Sequence, residues 1–130
     1  MSRRDPAVSL RQMRDHAHEA VELVRGRGRS DLDSDRLLAL ALVRLLEIIG
    51  EAAGRVPAEE QARRPGVPWP SIVGLRNRLI HGYDDIDHDI VWQIVTTDLP
   101  CSRWSFPARS PIRDKSIVRS RDLLAMFLGR

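Results

Sequence analysis

Several residue types are scarce in this sequence, and each scarcity narrows the kind of protein it encodes. Cys101 is the single cysteine among 130 residues, which excludes an intrachain disulfide framework and a metal site built from several cysteines. No apolar run approaches the ~18 residues that a membrane span needs, and residues 1–6 lack the apolar stretch of a signal peptide. We therefore expect a cytoplasmic protein with one hydrophobic core and no membrane contact.

Lysine is almost missing, since Lys115 stands alone beside twenty arginines. The net charge of +3 invites a nucleic-acid-binding interpretation. However, residues 101–130 hold seven basic and two acidic side chains, a net of +5, whereas residues 1–100 sum to −2. The positive charge therefore belongs to the tail, and an arginine bias along the whole chain is more typical of genome composition than of phosphate binding.

No alternation of apolar and polar residues, typical of β-strands, appears in the sequence. Apolar residues instead recur every three or four positions, which predicts a helix over residues 6–25. A second helix is predicted from Asp33 or Ser34, either of which can cap it, to Val56. Its first half is apolar almost all round, so we expect this helix to be central and buried, or shared with a partner subunit.

Three further helical segments follow in the sequence. A short helical turn is predicted over residues 58–64, a third helix from Pro70 and Ser71 to Gly82, and a fourth over residues 87–98. Together the long segments predict an all-α, up-and-down bundle of four main helices.

The last thirty residues differ from the rest in composition. We assign residues 1–100 to the helical domain and residues 101–130 to a basic tail rich in serine, proline and arginine. Within the tail, the apolar residues of 117–128 predict a last short helix.

The densest polar segment is 76–83, at the end of the third predicted helix. Arg76 can hold a phosphate through two parallel hydrogen bonds and stabilise charge in a transition state. His81 can exchange a proton near neutral pH, and Tyr83 offers a hydroxyl group and a ring face for base stacking. These are the groups needed for metal-independent cleavage of an RNA phosphodiester, with the 2′-hydroxyl as nucleophile.

The same residues also fit a structural role, because basic side chains near a helix C-terminus stabilise the helix dipole. Five residues turn a helix by about 140°, so Arg76 and His81 do not share a face. The two side chains converge on one phosphate only if the helix ends at His81, or if a symmetric dimer brings a second copy of each into one cleft.

The pattern Arg76-x4-His81-x-Tyr83 resembles the signature of the HepT family, small HEPN-domain proteins of toxin–antitoxin systems. Flanking segments also resemble this family over residues 7–100. These segments are RLLEIIGEAA at 44–53, VPW at 67–69, LRNRLIHGY at 75–83, ID at 86–87 and IVWQIVTTDLP at 90–100.

The resemblance implies an all-α homodimer that acts as a ribonuclease toxin, with a cleft between the two active-site helices. Arg76 and His81 correspond to the catalytic pair, and Asn77 to the polar residue that supports it. Tyr83 corresponds to the tyrosine that a cognate MntA-type nucleotidyltransferase antitoxin modifies with AMP from ATP. The added bulk and negative charge would block the cleft and repel RNA.

We expect Arg78 to support RNA binding beside Arg76, and we expect no cofactor. A non-catalytic helical dimer that only binds the nucleotidyltransferase, and is modified by it, is the alternative function. A plain DNA-binding bundle has little support, since no predicted helix presents clustered basic side chains.

Two other polar groups allow more than one interpretation. Arg44, Glu47 and Glu51 share one stripe of the second helix, as an intrahelical ion-pair ladder or as a buried network that orients Arg76. His88 follows three aspartates over residues 84–87, which invites a metal site but is more typical of the cap of the fourth helix.

Overall fold

The computed structural model describes residues 5–79, 86–100 and 104, and within these ranges the protein contains helices and no β-strand. This confirms the all-α bundle. The basic tail beyond Trp104, with its predicted helix, lies outside the described residues. The helices in chain order are α1 (Pro6–Leu23), α2 (Asp31–Ser34), α3 (Arg36–Gly54), α4 (Ala58–Ala62), α5 (Trp69–Val73), α6 (Leu75–Leu79) and α7 (His88–Gln93), followed by a π-helical turn (Ile94–Asp98).

The first helix forms where the periodicity predicts it. The Asp5 carboxylate accepts a hydrogen bond from the Ala7 backbone N–H at 3.0 Å, and Pro6 occupies the first helical position. Leu10, Met13 and Ala17 lie on the buried face of α1. This face packs chiefly against α3, so the α1–α3 pair forms the centre of the core.

The predicted start of the second long helix is wrong. Ser34 ends the short helix α2, and Asp35, in an extended conformation, caps α3. Its carboxylate accepts a hydrogen bond from the Leu38 backbone N–H at 3.1 Å, which lowers the pKa of Asp35 because the bond favours the charged form. Five residues between 30 and 35 can each cap a helix, so local sequence does not select among them.

One side of helix α3 is buried in the core, and the other side, its open side, is exposed to solvent. Leu42, Leu46 and Ile49 are completely buried in the core. On the opposite side, the Leu37 side chain is 80% exposed and the Leu40 side chain is 45% exposed. The apolar first half of α3 therefore contributes to the core and also presents leucines to solvent.

A close contact at Gly50 sets how α5 and α6 cross α3. A Cβ atom on Gly50 would lie 3.1 Å from the Ile72 carbonyl oxygen and 3.4 Å from the Leu75 Cβ atom. The backbone of the α5–α6 segment thus lies directly over the glycine, and a side chain there would require the Ile72 carbonyl group to shift by a few tenths of an ångström. The glycine therefore allows a close helix approach.

The third predicted helix is interrupted. It begins at Trp69 and breaks at Gly74, whose N–H donates to the Pro70 carbonyl at 3.1 Å, before α6 resumes at Leu75. Gly82, its predicted end, lies outside the described residues. Periodicity does not reveal the break, because the apolar spacing continues across it.

The fourth predicted helix also changes character part-way. Helix α7 continues into the π-helical turn, where the Leu99 N–H donates to the Ile94 carbonyl at 2.9 Å. The Thr96 hydroxyl donates to the Trp92 carbonyl at 2.7 Å and so competes with the backbone ladder. Within the described residues, no helix is both long and apolar enough to cross a bilayer.

Candidate active site

Helix α6 carries the first half of the motif. Leu75 and Leu79, one turn apart, are fully buried and hold this short helix against the core. Between them in sequence, Asn77 is exposed to solvent. The Arg76 side chain, His81 and Tyr83 lie outside the described part of the structure.

Arg78 has partners within the protein. Its Nη1 atom donates to the Ser71 carbonyl at 3.5 Å and lies 3.9 Å from Asp98 Oδ2. Both charged side chains are partly buried. Arg78 therefore ties α6 to α5 and to the π-helical turn, a contact that sequence reasoning missed because Asp98 is twenty residues away.

Substitution of Asp98 by asparagine is expected to weaken this tie. Partly exposed ion pairs contribute about 0.2–1 kcal/mol, so we expect a coupling energy in that range between Asp98→Asn and Arg78→Gln. Urea unfolding of the two single variants and the double variant measures it. Strictly additive effects of the two substitutions would show that the 3.9 Å contact contributes nothing.

The charged stripe on α3 forms an exposed ladder. Arg44 pairs with Glu47 at 3.3 Å, and Glu51 pairs with Arg55 at 2.8 Å. The Arg44 side chain is 69% exposed. Of the two interpretations, the intrahelical ladder is the one found, although Glu51 pairs further along the helix than the predicted trio.

In the described ranges, no group of histidine, cysteine, aspartate or glutamate side chains is arranged to hold a metal ion. Asp87 caps α7, since its carboxylate accepts hydrogen bonds from the backbone N–H groups of Asp89 and Ile90 at 3.0 and 3.2 Å. This confirms the predicted cap, while Asp84 and Asp85 lie outside the described residues.

The part of the chain that contains the motif and the helices around it matches a known family. A family model described as ribonuclease HepT-like matches residues 5–103. The chain belongs to the HepT-like ribonuclease family. The match includes α6 and the complete Arg76-x4-His81-x-Tyr83 pattern, and it ends three residues into the basic tail.

Individual relatives agree with this assignment. A "putative RNase" of Methanocaldococcus jannaschii is 36% identical over 100 residues, which cover 77% of this chain and 92% of that protein. A "putative RNase" of Caldanaerobacter subterraneus subsp. tengcongensis is 39% identical over 80 residues, or 62% of this chain and 71% of that protein. A "probable ribonuclease HepT" of Thermococcus cleftensis is 34% identical over 92 residues, covering 68% and 84%. No solved structure matches the chain significantly.

Proposed function

We propose that this HepT-like protein is a metal-independent endoribonuclease toxin of a toxin–antitoxin system. The observation that carries the proposal is the intact Arg76-x4-His81-x-Tyr83 pattern inside the region that matches the ribonuclease family. The burial of Leu75 and Leu79 supports the proposal, because these side chains hold the helix that bears Arg76 against the core.

In the proposed reaction, the substrate's own 2′-hydroxyl attacks the adjacent phosphorus. The Arg76 guanidinium binds the scissile phosphate and stabilises the charge that grows on its oxygens. His81 transfers the proton between the attacking 2′-oxygen and the leaving 5′-oxygen. Asn77 helps to position the phosphate, and Arg78 supports RNA binding beside Arg76. The P–O5′ bond breaks, leaving a 2′,3′-cyclic phosphate and a 5′-hydroxyl end.

Cleavage of end-labelled RNA in excess EDTA tests this mechanism. Purified protein is expected to cleave RNA to cyclic-phosphate ends and to leave DNA of the same sequence intact, because DNA lacks the 2′-hydroxyl. Cleavage of the DNA, or activity that disappears with EDTA and returns with a divalent cation, would contradict it.

The proposed active form is a homodimer that uses the open side of α3. The exposed side chains of Leu37 and Leu40 support the assignment of this face as the dimer interface, because large apolar side chains in contact with water favour burial against another surface. A twofold dimer also fits the motif, since five residues turn a helix by about 140° and a second copy can complete the site if Arg76 and His81 do not share a face.

Leu37→Glu is expected to shift the protein from dimer to monomer. A charge at an apolar interface must be desolvated without a partner, which weakens association by several kcal/mol. Sedimentation velocity over a range of concentrations measures the shift. Val8→Glu on α1, where the wild-type side chain is 38% exposed, is the matched control and is expected to remain dimeric. Dissociation by the control alone would place the interface on α1.

The proposed partner is an MntA-type nucleotidyltransferase antitoxin that adds AMP to Tyr83. The phenolic oxygen attacks the α-phosphate of ATP, pyrophosphate leaves, and the phenolic proton passes to the transferase. Mass spectrometry after incubation with an MntA-type nucleotidyltransferase and ATP is expected to show AMP additions that Tyr83→Phe abolishes. AMP addition to a protein that never cleaves RNA would instead favour the non-catalytic alternative.

A further inference from the structure

Four polar side chains, those of Arg29, Asp33, His88 and Asp89, join the start of α7 to the connection between α1 and α3. Arg29 Nε donates to Asp89 Oδ1 at 2.6 Å, and Arg29 Nη1 lies 3.0 Å from Asp33 Oδ1. The same Asp33 oxygen lies 3.0 Å from His88 Nδ1. Because the bonded residues are 55 and 60 positions apart in sequence, these contacts hold two distant segments together.

A cavity of about 140 Å³ opens between α2, α3 and the start of α7. Its lining combines the apolar side chains of Leu32, Leu40 and Ile86 with the polar side chains of Asp33, Arg36 and His88. The polar cluster therefore connects the two segments at the edge of a cavity that apolar side chains do not fill.

The charges in the cluster stabilise one another. The contacts with His88 and then with Arg29 lower the pKa of Asp33, because they favour its charged form, and the contacts with Asp89 and Asp33 raise the pKa of Arg29. Arg29 Nη1 is buried and, among the described residues, contacts Asp33 as an ion pair without the geometry of a hydrogen bond. The guanidinium therefore joins two carboxylates from different helices.

The cluster includes the first two residues of α7, the helix that follows the motif in sequence. His88 follows Tyr83 by five residues and His81 by seven. We infer that Arg29, Asp33, His88 and Asp89 form an anchor that positions the motif segment through the start of α7. This inference rests on the proposed function. None of the four is a catalytic residue, because all of them lie outside the motif; their proposed role is to position it.

The test compares Arg29→Gln with Arg27→Gln, a matched control on the same loop. Arg27 pairs with Asp35 at 3.2 Å, at the start of α3, so its loss leaves the α7 contacts intact. Hydrogen exchange is expected to become about fivefold faster in residues 86–93 of Arg29→Gln, with α1 unchanged, because a local contact is lost. The control is expected to match the wild type in residues 86–93.

The kinetic part of the test separates positioning from general stability. Arg29→Gln is expected to lower kcat for RNA cleavage by about tenfold with KM within about twofold, since small misplacement of catalytic groups has large effects on rate. Arg29→Lys, which keeps the charge, is expected to recover part of the loss. Asp89→Asn, at the other end of the 2.6 Å bond, is expected to reproduce it.

If hydrogen exchange in residues 86–93 of Arg29→Gln is unchanged, the four residues do not anchor the start of α7. If exchange becomes faster while kcat stays unchanged, the anchor does not position the motif. If the wild-type protein cleaves no RNA, the proposed function and the kinetic effect both fail. The exchange measurement still decides in that case whether the anchor exists, so the two failures are distinguishable.

Discussion

Replacing His81 by alanine is expected to lower the rate of RNA cleavage by at least about 100-fold, the range in which a positioned general acid or base contributes. Without the imidazole, the 2′-hydroxyl must lose its proton to water while the leaving 5′-oxygen departs unprotonated. Single-turnover cleavage of a labelled RNA measures the chemical step directly. Arg76→Ala is expected to have a loss of similar size, because phosphate binding and charge stabilisation disappear together.

His18→Ala is the matched control for this prediction. His18 is exposed on α1, away from the motif in sequence, and its removal is expected to leave the rate unchanged. The helical circular dichroism of all three variants should match that of the wild type, so that loss of folding is excluded. Cleavage by His81→Ala at the wild-type rate would remove His81 from the mechanism.

Leu46→Ala is expected to have the largest effect on stability, with a loss of about 2–5 kcal/mol in the free energy of unfolding. Leu46 is fully buried on α3, the helix that contacts α1, α5 and α6. Truncation removes apolar burial and leaves a cavity that rigid neighbouring helices fill only in part. For a domain of this size, such a loss is a large fraction of the total stability.

The companion variant Leu37→Ala makes the same chemical change on the open side of α3. Because Leu37 is 80% exposed, its truncation is expected to cost less than about 0.5 kcal/mol in the isolated monomer. Urea unfolding of both variants, at a chain concentration too low for association, compares them directly. Equal losses for the two substitutions would contradict the placement of Leu46 in the core.

Prediction from sequence succeeded where local signals agreed with the tertiary structure. The cap at Asp5, the proline at position 6 and the apolar spacing of α1 all point to one helix, and that helix forms. Prediction failed at the start of α3, where several residues in a row are competent caps and only packing selects Asp35. It also missed the break at Gly74, because the apolar spacing continues through it.

The candidate site divides in the same way. The order and chemistry of Arg76, Asn77, His81 and Tyr83 are properties of the chain itself, and with the flanking segments they were enough to indicate the HepT-like family. The partners of Arg78 were not predictable, since Asp98 approaches it only after α7 and the π-helical turn have packed beside α6.

What the sequence determined by itself is therefore local: an all-α chain with a single cysteine, no strand pattern and a compact polar motif at one helix end. The tertiary structure decided that α5 and α6 rest on Gly50, that Leu37 faces solvent, and that Arg29 holds two carboxylates from different helices. The physical reason is the separation along the chain over which each interaction acts. Periodicity and capping act between residues within a few positions, whereas Gly50 meets Ile72 and Arg29 meets Asp89 across tens of positions, and which face of α3 stays exposed depends on how distant helices pack.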